Sequence, residues 1–255
     1  MFDYHVHTQY SDGDNLHTYE SAVDELDLDG IGFADHALYT TDPNLREFRT
    51  WLGHVFDKIY PERREALERF EKETGVTTYD GVELDYFSWQ EDELRQFLAD
   101  AGFDYVVGSI HYYKDNANLM HNAYFESLSD TELDTVVEEY FNELVSLIDS
   151  GLADIVAHPD LFERNPYLRG RATTEQYKRV AEALKDSDAV PEINAGRVHR
   201  DLGQLHPVEP FRRVLDEYNI DFVFSTDAHT SDQLVSRRET IQNTDLDVGR
   251  TTLDL

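Results

Sequence analysis

The sequence predicts an α/β fold built on a parallel sheet, and three observations predict it. Seven short apolar runs recur along the chain, longer amphipathic stretches separate them, and histidines and carboxylates gather where the runs end. Strand–helix alternation implies parallel pairing through right-handed crossovers. The 255 residues are within the range that one barrel of this class fills. A closed barrel and an open doubly wound sheet both fit this pattern, and both carry functional residues at the carboxyl ends of their strands.

The elements follow in order. FDYHVHT (2–8) is the first strand; alternate strand residues face one way, so His5 and His7 project together. Residues 17–28 read as helix, with Ala22, Val23, Leu26 and Leu28 apolar. GIGFADH (30–36) is the second strand, 45–74 is helical, and VTTYDGVELDY (76–86) is the third strand. Helix 90–101 leads to FDYVVGSIH (103–111). The longest helix, 130–149, opens with Ser129 as its cap and places Leu133, Val136, Val137, Tyr140, Phe141, Leu144, Val145 and Leu147 at helical spacing. ADIVAHPD (153–160), helix 173–186, AVPEINAG (189–196), helix 207–218 and DFVFSTDAH (221–229) complete the set. No low-complexity linker, repeat or proline-rich hinge divides the chain, so 1–255 reads as one domain.

Composition bounds the function. There is no cysteine, which excludes disulfides, a thiol nucleophile and Cys-type zinc sites. No apolar run approaches a membrane span, and the first residues lack a signal region, so the expectation is a soluble, cytoplasmic protein. Acidic residues number 53 against 22 basic ones, and the basic residues comprise 5 Lys and 17 Arg. Acid excess with depleted lysine resembles proteins that work in molar salt, where repulsion is screened within a few ångströms. A net charge of −31 disfavours nucleic acid as a partner, and no Lys/Arg-rich stretch interleaved with aromatics would build a groove for it.

Six of the seven runs end in a ligand for a metal ion: His5 and His7, His36, Glu83, His111, His158, then Asp227 and His229, with Asp12 just after the first run. Imidazole and carboxylate suit zinc, manganese or iron. Each residue alone has a bland reading as a polar strand or turn residue, but independent polar residues would not keep recurring at one edge of a sheet. Nine ligands exceed what one ion of roughly four- to six-fold coordination accepts, and point to two or three divalent ions. Asp85 rivals Glu83 at this stage. His17, His54, His121 and His206 read as surface residues.

HVHTQYSDG, ADHA, GVELDY, GSIH, AHPD and STDAH, in this order, resemble the motifs of the polymerase-and-histidinol-phosphatase (PHP) superfamily of metal-dependent phosphoesterases. The resemblance implies a distorted seven-stranded (β/α) TIM-like barrel with a trinuclear site. It implies one ion on His5, His7, Glu83 and Asp227, with Glu83 bridging. A second ion would use Glu83, His111 and His158, and a third Asp12, His36 and His229. It selects Glu83 over Asp85, makes Asp85 a supporting residue and makes Asp35 the neighbour that orients His36. The stretches GVELDYFSWQEDELRQFLADAGFDYVVGSIHYY, LADIVAHPDLF and PEINAGRVHRDLGQLHP look most like the histidinol phosphatases of the superfamily. In the last of these, basic residues reach the substrate phosphate; Arg197 is the candidate, with His199 and Arg200 as alternatives. YSDG and Ala195 depart from that pattern.

The implied activity is phosphomonoester hydrolysis, with L-histidinol phosphate, an intermediate of histidine biosynthesis, as substrate. The attacking hydroxide would form in a di- or trinuclear cluster, where the pKa of water falls from ~15.7 towards ~7. Asp227 and Glu83 are the catalytic candidates: Asp227 takes a proton while it ligates, and Glu83 bridges the ions. Arg197 would grip phosphate bidentately, and His199 is the candidate leaving-group acid. Alternatives are a superfamily enzyme acting on a nucleotide, a bisphosphate or a nucleic-acid 3′ end, a metal-dependent amidohydrolase, and a non-catalytic metal-binding module. The partner expected is a small phosphorylated molecule, without membrane or nucleic acid, and the sequence leaves room for a homo-oligomer.

Overall fold

The computed structural model describes every residue except Met1, His54, Asp115, Asn116 and Asp247; the surface expectation for His54 thus lies outside the described residues. Strands β1 (Phe2–Val6), β2 (Gly30–Ala37), β3 (Thr77–Asp85) and β4 (Tyr105–Ser109) are followed by a short antiparallel pair, β5 (Tyr112–Tyr113) and β6 (Ala117–Asn118). Then come β7 (Ile155–Val156), β8 (Val190–Asn194) and β9 (Val223–Ser225). The seven long-range strands form one sheet in the order β1-β2-β3-β4-β7-β8-β9, and every neighbour is parallel.

The sheet curls until its ends meet. Val6 bridges Ala228 in parallel register, the His7 amide donates to the Ala228 carbonyl at 2.8 Å, and the Thr226 amide donates to Asp3 Oδ1 at 3.2 Å. The result is a seven-stranded barrel, which settles the choice that alternation left open.

Strand alternation sorts the side chains between the two faces. Ile31 and Phe33 pack with Leu16, Tyr19, Leu67 and Phe70 on one outer patch, while Val82, Leu84, Val106 and Phe222 join the large helix-covered cluster. Tyr4, Ala34, Tyr105, Val107, Ile155 and Val223, from five different strands, converge on the interior. Tyr105 fills that space because Gly32 and Gly81 leave it open: a Cβ at either would collide with its ring, and its hydroxyl donates to the Tyr4 carbonyl at 2.6 Å.

Helices α1 (Glu20–Leu26), α2 (Pro43–Leu52), α3 (Phe56–Thr74), α4 (Glu91–Ala101), α5 (Asn122–Phe125), α6 (Asp130–Ser150), α7 (Thr174–Lys185), α8 (Glu209–Glu217) and α9 (Ser231–Asn243) surround the barrel. Ser129 caps α6 as expected, in a reciprocal box with Glu132. The stretch read as one helix over 45–74 is two. Gly53, at φ 80°, ends α2 in the left-handed conformation that glycine adopts without strain. Among the described residues no helix is long and apolar enough to cross a membrane.

Candidate metal centre

Each expected ligand sits at or just beyond the carboxyl end of its strand. Glu83, on β3 and buried, is the hub. Its Oε2 lies 3.5 Å from His5 Nε2, 3.6 Å from His7 Nε2 and 2.6 Å from His36 Nδ1. Its Oε1 lies 3.5 Å from His111 Nε2 and 3.1 Å from His158 Nε2. One carboxylate thus faces five imidazoles from four strand ends, and Asp85 does not share that position. Asp85 Oδ1 instead lies 2.8 Å from His111 Nδ1, on the far side of the ring from Glu83, in a supporting place.

A second group gathers around Asp12. His7 Nδ1, His36 Nε2 and His229 Nε2 lie 3.5, 3.7 and 3.3 Å from its oxygens, and the His7 and His229 rings stack at 4.1 Å. Asp227 Oδ1 closes the ring, 3.5 Å from His7 Nε2 and 3.6 Å from His229 Nδ1. Three sets have ligand atoms mutually within 4.8 Å: His7, Asp12, His36 and His229; His5, His7 and Glu83; and His36, Glu83 and His111. All nine expected ligands are therefore in one place, although His7 and His36 each serve two groups.

The backbone is bent to deliver them. His158 (φ 23°) and Asp227 (φ 52°) are in the left-handed region that non-glycine residues avoid. Gly13 lies so close to the His7 carbonyl that a Cβ there would collide with it, which lets the loop after β1 fold back and present Asp12. Asp35 secures this loop rather than standing only beside His36. Its buried carboxylate accepts from the Thr8 amide, the Thr8 hydroxyl, the Ser11 hydroxyl and Arg63 Nε at 2.6–2.7 Å.

Glu192, which the sequence reading passed over, braces the opposite side. It lies 3.0 Å from His5 Nδ1, accepts the His158 amide at 2.9 Å and accepts Asn194 Nδ2 at 2.7 Å. Its signal was present in VPEIN, the one charged residue in an otherwise uncharged strand.

The charges interlock. Burial lowers His7 to about 4, helped by the neighbouring His229 and His36 rings, and burial with Arg164 lowers His158 to about 4. Burial opposes charge on His36, but the Glu83 and Asp12 carboxylates overcome it and hold His36 up at about 10. Burial would raise Glu83 and Asp227, yet the surrounding imidazoles, and Arg164 beside Asp227, hold both well below the usual carboxylate range. His5 Nε2, both ring nitrogens of His7 and Glu83 Oε2 are buried without a hydrogen bond. Leaving such groups bare costs about 1–3 kcal/mol each. Nitrogen and carboxylate donors left bare and aimed at one space fit divalent cations.

The cleft above the cluster measures about 270 Å³ and is also lined by Met120, Arg164, Gly196, Arg197, Arg200 and Arg237. Arg197 is where it was expected. His199 is not: it is exposed, lies 3.4 Å from Thr240 Oγ1 on α9 and does not line the cleft, so neither a phosphate contact nor a leaving-group acid is supported there. His206, read as a surface residue, is buried. Its Nδ1 lies 2.6 Å from Asp160 Oδ1, and its Nε2 accepts from Arg164 Nε at 3.1 Å. Arg164 in turn donates to Asp227 Oδ2 at 3.2 Å. His17 and His121 are exposed, as expected.

Known proteins share this architecture. The sequence profile described as PHP domain matches residues 3–196. Asp227 and His229 fall beyond the matched segment and rest on the geometry. A probable histidinol-phosphatase of Deinococcus radiodurans is 23% identical over 238 residues, covering 90% of this chain and 86% of that protein. The structure of a putative histidinol phosphatase from Listeria monocytogenes is similar with a TM-score of 0.81 at 19% identity, covering 94% of this chain and 99% of that one. A histidinol phosphate phosphatase from Lactococcus lactis, complexed with zinc, L-histidinol and phosphate, gives 0.69 at 18% identity over 94% and 91% of the two chains. Both likenesses show the same barrel.

Proposed function

The chain belongs to the PHP domain family, and we propose that it is a metal-dependent phosphomonoesterase that hydrolyses L-histidinol phosphate to histidinol and phosphate. The observation that carries this reading is the joining of two features in one cleft: a Glu83-centred cluster of nine ligands and a wall of arginines. The Deinococcus, Listeria and Lactococcus proteins, all described as histidinol phosphatases, support the choice of substrate.

His5, His7, Glu83 and Asp227 would hold one ion, Glu83, His111 and His158 a second, and Asp12, His36 and His229 a third, with Zn, Mn or Fe as the metals. When bound, the ions supply Lewis acidity, which makes water a nucleophile near neutral pH and offsets charge on the phosphate. The protein's own groups do the rest. Arg164 and Arg197 hold the phosphate oxygens, and a planar guanidinium suits that fork-like contact. The His206–Asp160 pair fixes Arg164 in place. Asp227, ionised at rest, would accept the proton of the attacking water on Oδ1, beside His7 and His229. Phosphoryl transfer depends mainly on such positioning and charge stabilisation.

The test is phosphate release from L-histidinol phosphate beside a panel of other phosphate esters and nucleotides, with added Mn²⁺ or Zn²⁺ and a His7→Ala control. The expected kcat/KM for histidinol phosphate exceeds the others by about a hundredfold, or about 2.7 kcal/mol, and is lost in the control. A nucleotide preference would replace the substrate and keep the chemistry. Metal uptake without hydrolysis of any ester would leave a binding module.

A further inference from the structure

Beside the metal cleft lies a second cavity of about 420 Å³, whose lining includes Met120, Asn122, Arg164, Arg169, Arg197 and Arg200. Met120, Arg164, Arg197 and Arg200 line both spaces, so the two are continuous. In a chain with 53 acidic residues against 22 basic ones, the arginines elsewhere commonly meet carboxylates: Arg63, Arg64, Arg69, Arg171, Arg179 and Arg213 all do.

Apart from Arg164, which donates to Asp227, the arginines of this cavity form no ion pair among the described residues. Arg197 Nη2 reaches the Met120 sulfur at 3.2 Å, and Arg169 Nε donates to the Glu163 carbonyl at 2.8 Å, with the Glu163 carboxylate near enough to feel its charge. The exposed Arg200 side chain makes no hydrogen bond or ion pair among the described residues. Asp201 is the one carboxylate on the lining. Burial and the nearby Arg164 charge lower Arg197 to about 10, outweighing the opposing pull of the Asp227 carboxylate.

We propose that Arg169 and Arg200, beyond the Arg197 that borders both spaces, form a second anion subsite, which takes a phosphate or carboxylate at the far end of a ligand whose first phosphate occupies the metal cleft. Among esters of equal length the site would therefore favour those with an anionic far end over those with a neutral one. The proposal rests on the phosphoesterase reading only for the placement of the first phosphate.

Calorimetric titration of the metal-loaded protein with alkyl monophosphonates and alkanediyl bisphosphonates of increasing chain length tests it, because neither can be hydrolysed. One charge-assisted guanidinium contact is worth about 1.5–3 kcal/mol. At the matching length the bisphosphonate is thus expected to bind at least about tenfold more tightly. That exceeds the about twofold statistical advantage of having two equivalent ends. Arg169→Gln and Arg200→Gln should each shrink the ratio to about threefold or less, and Arg169→Lys should restore part of it. A ratio near one at every length, or one that survives both substitutions, overturns the proposal. Loss of the phosphoesterase reading would show separately, as no ester hydrolysis by the same preparation while the ratio is still measured.

Discussion

Glu192→Gln should impair the metal centre without touching a ligand. Glu192 is fully buried, and burial alone would raise its pKa; the His5 ring beside it instead holds the carboxyl below its ordinary value, so it accepts hydrogen bonds and donates none. An acceptor 3.0 Å from His5 Nδ1 requires the proton to be on Nδ1, which leaves the Nε2 lone pair facing Glu83. Glutamine has the same shape, and its carbonyl can still accept the His158 amide. Its NH₂ would then face His5 Nδ1 and favour the opposite tautomer, with a proton on Nε2 where a ligand lone pair is needed. Loss of such a supporting contact costs about 10- to 100-fold in metal affinity or activity, or about 1.4–2.7 kcal/mol. Competition for Zn²⁺ against a chromophoric chelator, with metal content after dialysis, measures it, and melting temperature checks the fold. An unchanged affinity within about twofold, in a folded variant, would refute the tautomer argument.

Three further outcomes follow from the structure. Arg63, fully buried, binds Asp35, Asp80 and the Phe33 carbonyl; Arg63→Met would strand Asp35 as a buried charge and destabilise the protein by about 3–5 kcal/mol in denaturant titration. Burial raises Glu163 to about 7, so the folded state binds its proton more tightly than the unfolded chain does. The stability this confers is present below about pH 4.5 and is lost as pH rises towards 7, a difference on the order of 3 kcal/mol; in Glu163→Gln, a melting curve against pH should lose that slope. A Cβ at Gly196 would collide with Asp227 Oδ2; Gly196→Ala is therefore expected to lower kcat at least about tenfold with little change in melting temperature, since small misplacements of a reacting group are that costly.

The convergence of the candidate ligands was legible because a parallel sheet turns chain order into spatial order. Once His36, Glu83, His111 and His158 are each assigned to a strand end, they must meet. The contacts that brace them were not legible, because those depend on where loops return. Arg164 reads as a solvated residue until the Asp160–His206 pair is seen fixing it. His206 precedes a proline in a polar stretch, and only the pairing of residue 206 with Asn194 shows that the segment folds inward. Helix α9 went unread because its buried side includes Arg237 and Arg238 beside Leu234 and Ile241, which removes the apolar stripe that periodicity detects. The break at Gly53 was available as a helix-ending glycine, but apolar spacing on both sides of it masked the signal.

The seam between β9 and β1 links the centre to the order of synthesis. His5 and His7 emerge long before Asp227 and His229, tens of seconds earlier at about 5–20 residues per second. In the finished fold the His7 and His229 rings nevertheless stack face to face. A chain broken off before Thr226 could still form β1 to β9, but it would lack Asp227, Ala228 and the amide that Asp3 accepts, and its first strand would keep an unpaired edge. Chains shorter than 229 residues therefore cannot assemble the full set of candidate ligands, and an exposed edge of this kind is prone to aggregation. The candidate ligand set can be complete only once synthesis has passed His229.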